Sequence, residues 1–588
     1  MATATPTGPR ARLSKTVALA ARSATLADVW DRLADAYGQR TALTLEEPIA
    51  LEGAPVDRLS YVDVARLVAL LAGALVDVGV QPGDRVAVCT ANRIDYALTC
   101  FAAVRAGAVA VPLHHHLTPA EVEAFLTRSR AAFLVADPAT AVARRGVVTL
   151  TTGAEGLLLR ALADASPLPA RKVAARDAAL ILFTSGTTGA PKGATITSRS
   201  LLAVARLAAL VPDARDEQGA CGLPLAHVMG MSTLLCVLLA GAPVHWISKF
   251  DAPAVLARLQ ALRATFFVGV PAMYALLAEE GPERFDLSSV KLWASGADAM
   301  PPQLVDRFRP LGCALRSPRG RRLLTAAFAE IYGMVELSGP AIVKLTPPEP
   351  FDDGPVSAPV ARAIERVRRA IAARAPKLAG ARARARAAVL GRAEGAASGA
   401  LGIPIPPYRA RVVDDEGRPV KAGVVGELEL KGPGVTTGYD GDAAATARAK
   451  AGGWLRTGDL AWKNRAGLIA FATRKKDVIK HGGYSVFPAE VEAQLGEHPQ
   501  VAEVVVFGVP HATKGAVPAA AVVLKKGARV DEAALLAWAR DHIAPFKAPR
   551  LLALVASSDV PRNANRKVLK DELRDRLLAQ GALVGGAR

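Results

Sequence analysis

Cysteine is scarce and scattered in this chain. Cys89, Cys100, Cys221, Cys236 and Cys313 form no C-x-x-C pair. That excludes a disulfide framework and points to reduced thiols in a cytoplasmic protein. Zinc-type spacing of Cys and His is missing, and so is the Gly-x-Ser-x-Gly turn of a hydrolase nucleophile. No internal repeat occurs. A bilayer-length apolar run is missing too. The longest uncharged window, 218–248, is broken by Pro224, His227, Gly230, Ser232, Gly241, Pro243 and His245. It reads as a loop, a buried helix and a strand rather than a membrane span. Val17–Ala21, after Arg10, Arg12 and Lys15, is too short for a secretory core. Acidic residues are outnumbered, 54 against 73 Lys and Arg, which leaves a net charge of +19. Such an excess implies anionic partners. Residues 361–396 hold ten Arg or Lys against two Glu, an excess of 10 − 2 = +8. One short segment thus carries over a third of the imbalance.

What is present is a long globular chain. Its 588 residues exceed one core, so two or more domains are expected. Residues 1–24 read as a flexible basic leader. Leu26–Tyr37 reads as a helix with Leu26, Val29, Trp30, Leu33 and Tyr37 on one face, Thr25 as N-cap and Asp28 in the first turn. Residues 59–175 alternate helical patterns with β-branched runs, at Arg85–Cys89, Ala108–Pro112 and Ala132–Ala136. The pattern resumes at Ala242–Ile247, Phe266–Val270 and Val290–Trp293. Strands separated by helices imply a parallel α/β sheet. From about residue 400 the style changes. Tyr408–Asp414, Gly426–Lys431 and Gly467–Ala472 are short strands between Gly-rich turns, as in a small antiparallel barrel. The last hundred residues read as an α+β unit with strands near Val504–Val509, Ala519–Leu524 and Leu551–Val555. A domain border falls near Thr473–Lys476.

The most informative stretch is Ile181-Leu-Phe-Thr-Ser-Gly-Thr-Thr-Gly-Ala-Pro-Lys-Gly193. A strand, Ala179–Phe183, feeds a loop rich in free backbone N–H groups. Thr184, Ser185, Thr187 and Thr188 add hydroxyls, Gly186 and Gly189 let the backbone approach a ligand, and Lys192 adds a mobile cation. These are the requirements for holding a polyphosphate. The loop is not that of the common NTPases, which need Gly-Lys followed by Ser or Thr, whereas Pro191 precedes this lysine.

Further segments follow in order: Pro224-Leu-Ala-His227, Ser295-Gly-Ala297, Tyr332-Gly-Met-Val-Glu336, Trp454-Leu-Arg-Thr-Gly-Asp459, Arg474–Glu490 and Pro561–Lys567. With them the chain, from about residue 25 to about 575, resembles the adenylate-forming superfamily of acyl-CoA synthetases, luciferases and peptide-synthetase adenylation domains. The resemblance implies an α/β fold. A large N-terminal domain, 25–473, would hold two parallel-sheet α/β subdomains and a small β-barrel, with 361–396 as a basic insertion. A hinge at 474–477 and a small, mobile α+β domain at 478–588 would follow. It implies ATP, Mg²⁺ and coenzyme A as cofactors. The Thr184–Gly189 loop and Lys192 would hold phosphates. Glu336, assisted by Thr184, would hold the metal, since Mg²⁺ takes few carboxylates plus phosphate oxygens. Tyr332 and Gly333, with Ser295, Gly296 and Ala297, would flank adenine, while Asp459 and Arg474 would hold ribose. Lys567 would neutralise charge as a carboxylate attacks the α-phosphate. His227 would lie beside that carboxylate and Lys476 would be the hinge. Lys480, Gly482 and Gly483 would admit the pantetheine of CoA.

Three positions depart from the family pattern. Val335 stands where Thr is usual, Arg566 where Gly is usual, and Ala226 where an aromatic is common. Val228-Met-Gly-Met231 offers no anion for a substrate amine, which favours a medium- or long-chain fatty acid over an amino acid. An aromatic acid of the 4-coumarate kind, or an acyl-AMP ligase, stays open. A basic membrane-binding protein with a weakened adenylation fold is the alternative of a different class, and Lys567, Glu336 and Asp459 count against it. In 361–396, Ile364, Val367, Ile371 and Leu378 line one helical side among basic residues, a pattern suited to an anionic membrane surface or to a solvated loop. No aromatic residues interleave there for base stacking, which argues against nucleic acid. His114-His-His116 reads as loop, because successive side chains point apart. The residues leave the oligomeric state open, a homodimer included.

Overall fold

The computed structural model describes residues 24–51, 54–152, 161, 163–184, 191–208, 214, 217–317, 320–351, 399–481, 484–511, 513–562 and 568–585. Of the expected leader all but Ala24 lies outside these residues, as do 185–190, the whole of the expected insertion 361–396, Gly482, Gly483, Arg566 and Lys567. The chain forms two compact units. The first holds 1–378, 404–409 and 431–453, and the second holds 379–403, 410–430 and 454–588.

Two large sheets and a two-stranded one, Leu315–Arg316 with Arg322–Leu324, lie in the first unit. One large sheet has six strands, in the order Val148–Thr151, Phe133–Ala136, Arg85–Cys89, Val109–Pro112, Ala178–Thr184 and Lys192–Thr197. All its pairings are parallel except the last. The other large sheet runs Ala54–Ser60, Thr41–Leu51, Val244–Trp246, Gly219–Cys221, Phe266–Gly269, Leu292–Gly296, Ala327–Met334 and Gly339–Thr346. Its inner pairings are parallel and its two outer ones antiparallel.

Helices Tyr61–Asp77, Ile94–Arg105 and Val228–Leu239 share one continuous core with strands of both sheets. Every residue from Tyr96 to Arg105 is buried. A helix apolar on all sides needs apolar partners on all sides, and two sheets supply them. Arg105, 5% exposed, is the one charge there, and Asp31 and the Leu168 carbonyl pair with it. Pro119–Ser129 covers the outer face of the six-stranded sheet, and Ala252–Ala261, Pro271–Glu279 and Pro302–Phe308 cover that of the other. Helix starts are set locally. Ser60 and Asp63, and Thr118 and Glu121, form reciprocal capping boxes, each contributing about 1 kcal/mol. The first helix departs from the sequence reading. It spans Val29–Tyr37, and Thr25 does not cap it. The Thr25 N–H and hydroxyl both donate to Asp28 Oδ1, which ties residues 25–28 into a turn, and Asp28 becomes the N-cap.

The second unit holds an antiparallel sheet in the order Arg409–Val413, Gly426–Lys431, Trp454–Lys463, Ile469–Arg474 and Ala400–Pro404. It also holds a mixed sheet built on the hairpin Val501–His511 and Gly515–Leu524. Helices Pro488–Leu495, Glu532–His542 and Lys570–Ala579 pack on this sheet around two apolar clusters. Among the described residues no helix is long and apolar enough to cross a membrane.

Candidate active site

In the first unit, strand ends bring Thr184 and Lys192 to an acidic turn. Thr184 pairs across from Lys192, and its Oγ1 donates to the Lys192 carbonyl at 3.4 Å. The turn Val335–Leu337 packs against both strands and carries Glu336, which is 6% exposed. Ser338, in the left-handed region at φ 55°, ends the turn. Tyr439 meets this turn from 103 residues away, and its hydroxyl donates to Glu336 Oε1 at 2.8 Å. The Lys192 ammonium lies 5.5 Å from the centroid of the same ring. Burial first, and then the neighbouring Glu336, push the Tyr439 pKa up, so the phenol stays a donor at neutral pH.

The segment around Tyr439 is laced to the same strand and turn. Thr436 N donates to the Glu336 carbonyl at 2.7 Å, Thr436 Oγ1 donates to the Thr195 carbonyl, and Asp440 N donates to the Gly193 carbonyl. Arg85 donates twice to the Asp440 carboxylate, at 2.7 and 2.8 Å. Lys450 Nζ donates to the carbonyls of Thr436 and Thr437, and burial lowers its pKa.

Leu292–Gly296 and Ala327–Met334 lie side by side, with Gly296 opposite Ile331. Ser295 is 1% exposed, and its Oγ has no hydrogen-bond partner among the described residues. Ala297 sits at φ 72°. Tyr332 is half-buried in the second of these strands. Gly333 is required beside it, because a Cβ there would stand 2.3 Å from the Gly339 carbonyl oxygen.

His227 opens the helix Val228–Leu239. Buried Asn92 holds the loop before it. The Asn92 amide donates to the carbonyls of Leu223 and Ile247, and its carbonyl accepts from Leu225 N at 2.8 Å. His114, His115 and His116 occupy the turn between Val109–Pro112 and Pro119–Ser129, as a loop reading expects. Their nearness to His227 has no sequence signal. The His114 ring stacks on His115 at 4.8 Å and stands 6.5 Å from His227. Burial, then its three imidazole neighbours, lowers the His114 pKa to about 3. The histidine cluster is therefore polar but carries no charge at His114 at neutral pH.

In the second unit Asp459 and Arg474 are cross-strand partners, with Arg474 Nε 3.1 Å from Asp459 Oδ1. Asp459 is 3% exposed, and its N–H donates to Thr457 Oγ1. A short turn, Lys475–Asp477, follows the strand. Lys475 pairs with Asp415 and Glu427, while Lys476 lies 3.7 Å from Asp477 and 3.8 Å from Asp571. Exposed Lys480 donates to Ser485 Oγ. The sequence reading thus missed Tyr439, Thr436, Lys450 and Asn92. None lies in a segment it singled out; Tyr439, Thr436 and Asn92 act through contacts far away in the chain, and Lys450 through the Thr436 and Thr437 carbonyls.

The site can be compared with known proteins. The chain matches the AMP-binding enzyme family over residues 30–368 and 385–440, and the C-terminal domain of AMP-binding enzymes over 490–567. It is 33% identical over 527 residues to a feruloyl-CoA synthase of Amycolatopsis sp., which covers 88% of this chain and 94% of the relative. It is 31% identical over 403 residues to a long-chain-fatty-acid–CoA ligase of Bacillus subtilis, covering 68% and 61%. Its fold is similar to ATP-bound MatB of Rhodopseudomonas palustris, with a TM-score of 0.74 at 28% identity over 94% of this chain and 99% of that one. The chain belongs to the AMP-binding enzyme family, among its AMP-forming acid–CoA ligases.

Proposed function

We propose that this enzyme activates a hydrophobic carboxylic acid with ATP, forming acyl-AMP and pyrophosphate, and then transfers the acyl group to coenzyme A with release of AMP. One observation carries the reading: a buried carboxylate, Glu336, and the phosphate-loop cation, Lys192, are held on one tyrosine at the end of the Thr184 strand. The donor set fits Mg²⁺, which binds one or two carboxylates and keeps phosphate oxygens and water for the rest. Glu336 and Thr184 would hold it, and the bound metal would neutralise phosphate charge. Lys192 and the loop 185–189 would orient the polyphosphate. Ser295–Ala297 and Tyr332 would flank the base, and Asp459, paired with Arg474, would accept from the ribose hydroxyls. His227 would meet the acid, and Lys567 would balance the charge developing as it attacks. Lys476 would act as the hinge, and Lys480 with Gly482 and Gly483 would face CoA.

An aromatic acid of the ferulate kind is the first reading for the substrate. The likeness to the feruloyl-CoA synthase, which runs through nearly all of both chains, supports it. A medium- or long-chain fatty acid is the second, supported by the uncharged Val228-Met-Gly-Met231 and by the shorter likeness to the fatty-acid ligase. Pyrophosphate exchange with ferulate, 4-coumarate, octanoate and palmitate, followed by thioester formation, decides between them. Exchange with palmitate alone would reverse the order, and exchange with none would sink both. The basic segment 361–396 would dock on anionic lipid. Its deletion is expected to abolish salt-sensitive liposome binding and to spare activity on a short soluble acid.

A further inference from the structure

Tyr439 contacts two oppositely charged side chains at once. Its hydroxyl donates to Glu336 Oε1 at 2.8 Å, and the Lys192 ammonium lies 5.5 Å from its ring centroid. The contacts use different parts of the phenol, the O–H dipole for the anion and the ring for the cation. The backbone beneath the ring is pinned independently of both partners. Tyr439 N donates to Thr446 Oγ1 at 2.9 Å, Tyr439 forms a bridge with Ala194, and the Gly438 carbonyl accepts from Thr195 N. Gly438 is at φ 155°, and a Cβ there would stand 2.6 Å from Thr446 Cγ2. The segment therefore sets the place of the ring, and the ring sets the places of the two charges.

We propose that Tyr439 is a positioning residue for the metal–nucleotide complex: its hydroxyl orients the Glu336 carboxylate for Mg²⁺, and its ring steadies the Lys192 ammonium for the polyphosphate. The inference rests on the roles assigned above to Glu336 and Lys192. A carboxylate already held in one rotamer loses less conformational freedom when it takes up a cation, so it binds more tightly. The same holds for the long lysine side chain, which has more rotamers to lose.

Tyr439→Phe keeps the ring and removes the hydroxyl, and Tyr439→Leu removes both. Mn²⁺ binding to the full-length enzyme with ATP, followed by electron paramagnetic resonance, gives a readout apart from turnover. The Phe variant is expected to weaken Mn²⁺ binding about tenfold and to raise half-saturating Mg²⁺ by a similar factor, the loss of one charge-assisted hydrogen bond. Its KM for ATP at saturating Mg²⁺ should rise with the weakened metal, and by more than kcat falls, since the ring remains. The Leu variant should raise ATP KM further. Combining Tyr439→Phe with Glu336→Gln should cost no more metal affinity than Glu336→Gln alone. A lower melting temperature and kcat without a metal shift, or additive losses in the double variant, would mean that Tyr439 only supports the fold, and would overturn the inference. Unchanged Mn²⁺ affinity in Tyr439→Phe, with a loss in Glu336→Gln, overturns the inference alone. Unchanged affinity in Glu336→Gln overturns the Glu336 assignment and the inference with it.

Discussion

Val335 stands one residue before buried Glu336, half-buried against the main core. Threonine there adds a hydroxyl next to Glu336 at nearly equal volume. Val335→Thr is expected to retain pyrophosphate exchange or raise it, and to lose about 1–3 kcal/mol of stability, the cost of half-burying a hydroxyl without a partner. A severe loss of exchange in a well-folded variant would show that the site is built around the valine. His245 supplies a pH test of the fold. It is 1% exposed, its Nδ1 lies 3.0 Å from Thr44 Oγ1, and burial, then Arg258, lowers its pKa to about 4. The unfolded chain takes up a proton near pH 6.5, where the folded chain does not. Stability is therefore full above about pH 6.5 and falls as pH drops toward 4, with His114 adding to the same slope. Thermal melting should decline from pH 7 to pH 5, and His245→Asn should flatten that decline. An unchanged slope in the variant would exclude His245 as its source.

The loop Leu223–His227 owes its course to Asn92, a residue with no motif around it. Asn92→Ala leaves two carbonyls and one N–H without their partner in a buried place. It should cost about 2–4 kcal/mol in denaturant unfolding. It should also raise KM for the acid more than KM for ATP, since His227 follows the loop. Equal rises would mean that the loop does not reach the acid. How well elements could be read from sequence follows the same logic of reach. Arg85–Cys89 and Gly426–Lys431 match their expected bounds, because β-branched or alternating runs end in turn residues there. The hairpin Thr41–Leu51 with Ala54–Ser60 escaped notice. Glu46, Glu47 and Pro48 break its alternation, and the register shifts between Thr44 and Ile49. Lys192 and Glu336 could be picked out from local motifs, whereas their shared partner Tyr439 could not. A contact across 103 residues leaves no mark on the neighbouring sequence.

At the scale of the whole molecule, two half-reactions must be served by one set of residues. Lys476 lies in the short turn that follows the Ile469–Arg474 strand. If it is the hinge, proline there fixes φ and blocks the rotation. Lys476→Pro should leave pyrophosphate exchange near normal and depress thioester formation from supplied acyl-AMP. Two unaffected half-reactions would move the hinge elsewhere. The second sheet of the first unit also has a history written into its strand order. Thr41–Leu51 lies in parallel beside Val244–Trp246, which the ribosome delivers some two hundred residues later. At 5–20 residues per second that interval is roughly 10–40 s. The six-stranded sheet, made wholly of residues 85–197, emerges within it and can form first. The early strand meanwhile keeps one edge unpaired on the growing chain, and nascent-chain proteolysis should find that segment cleavable until residue 246 has left the exit tunnel.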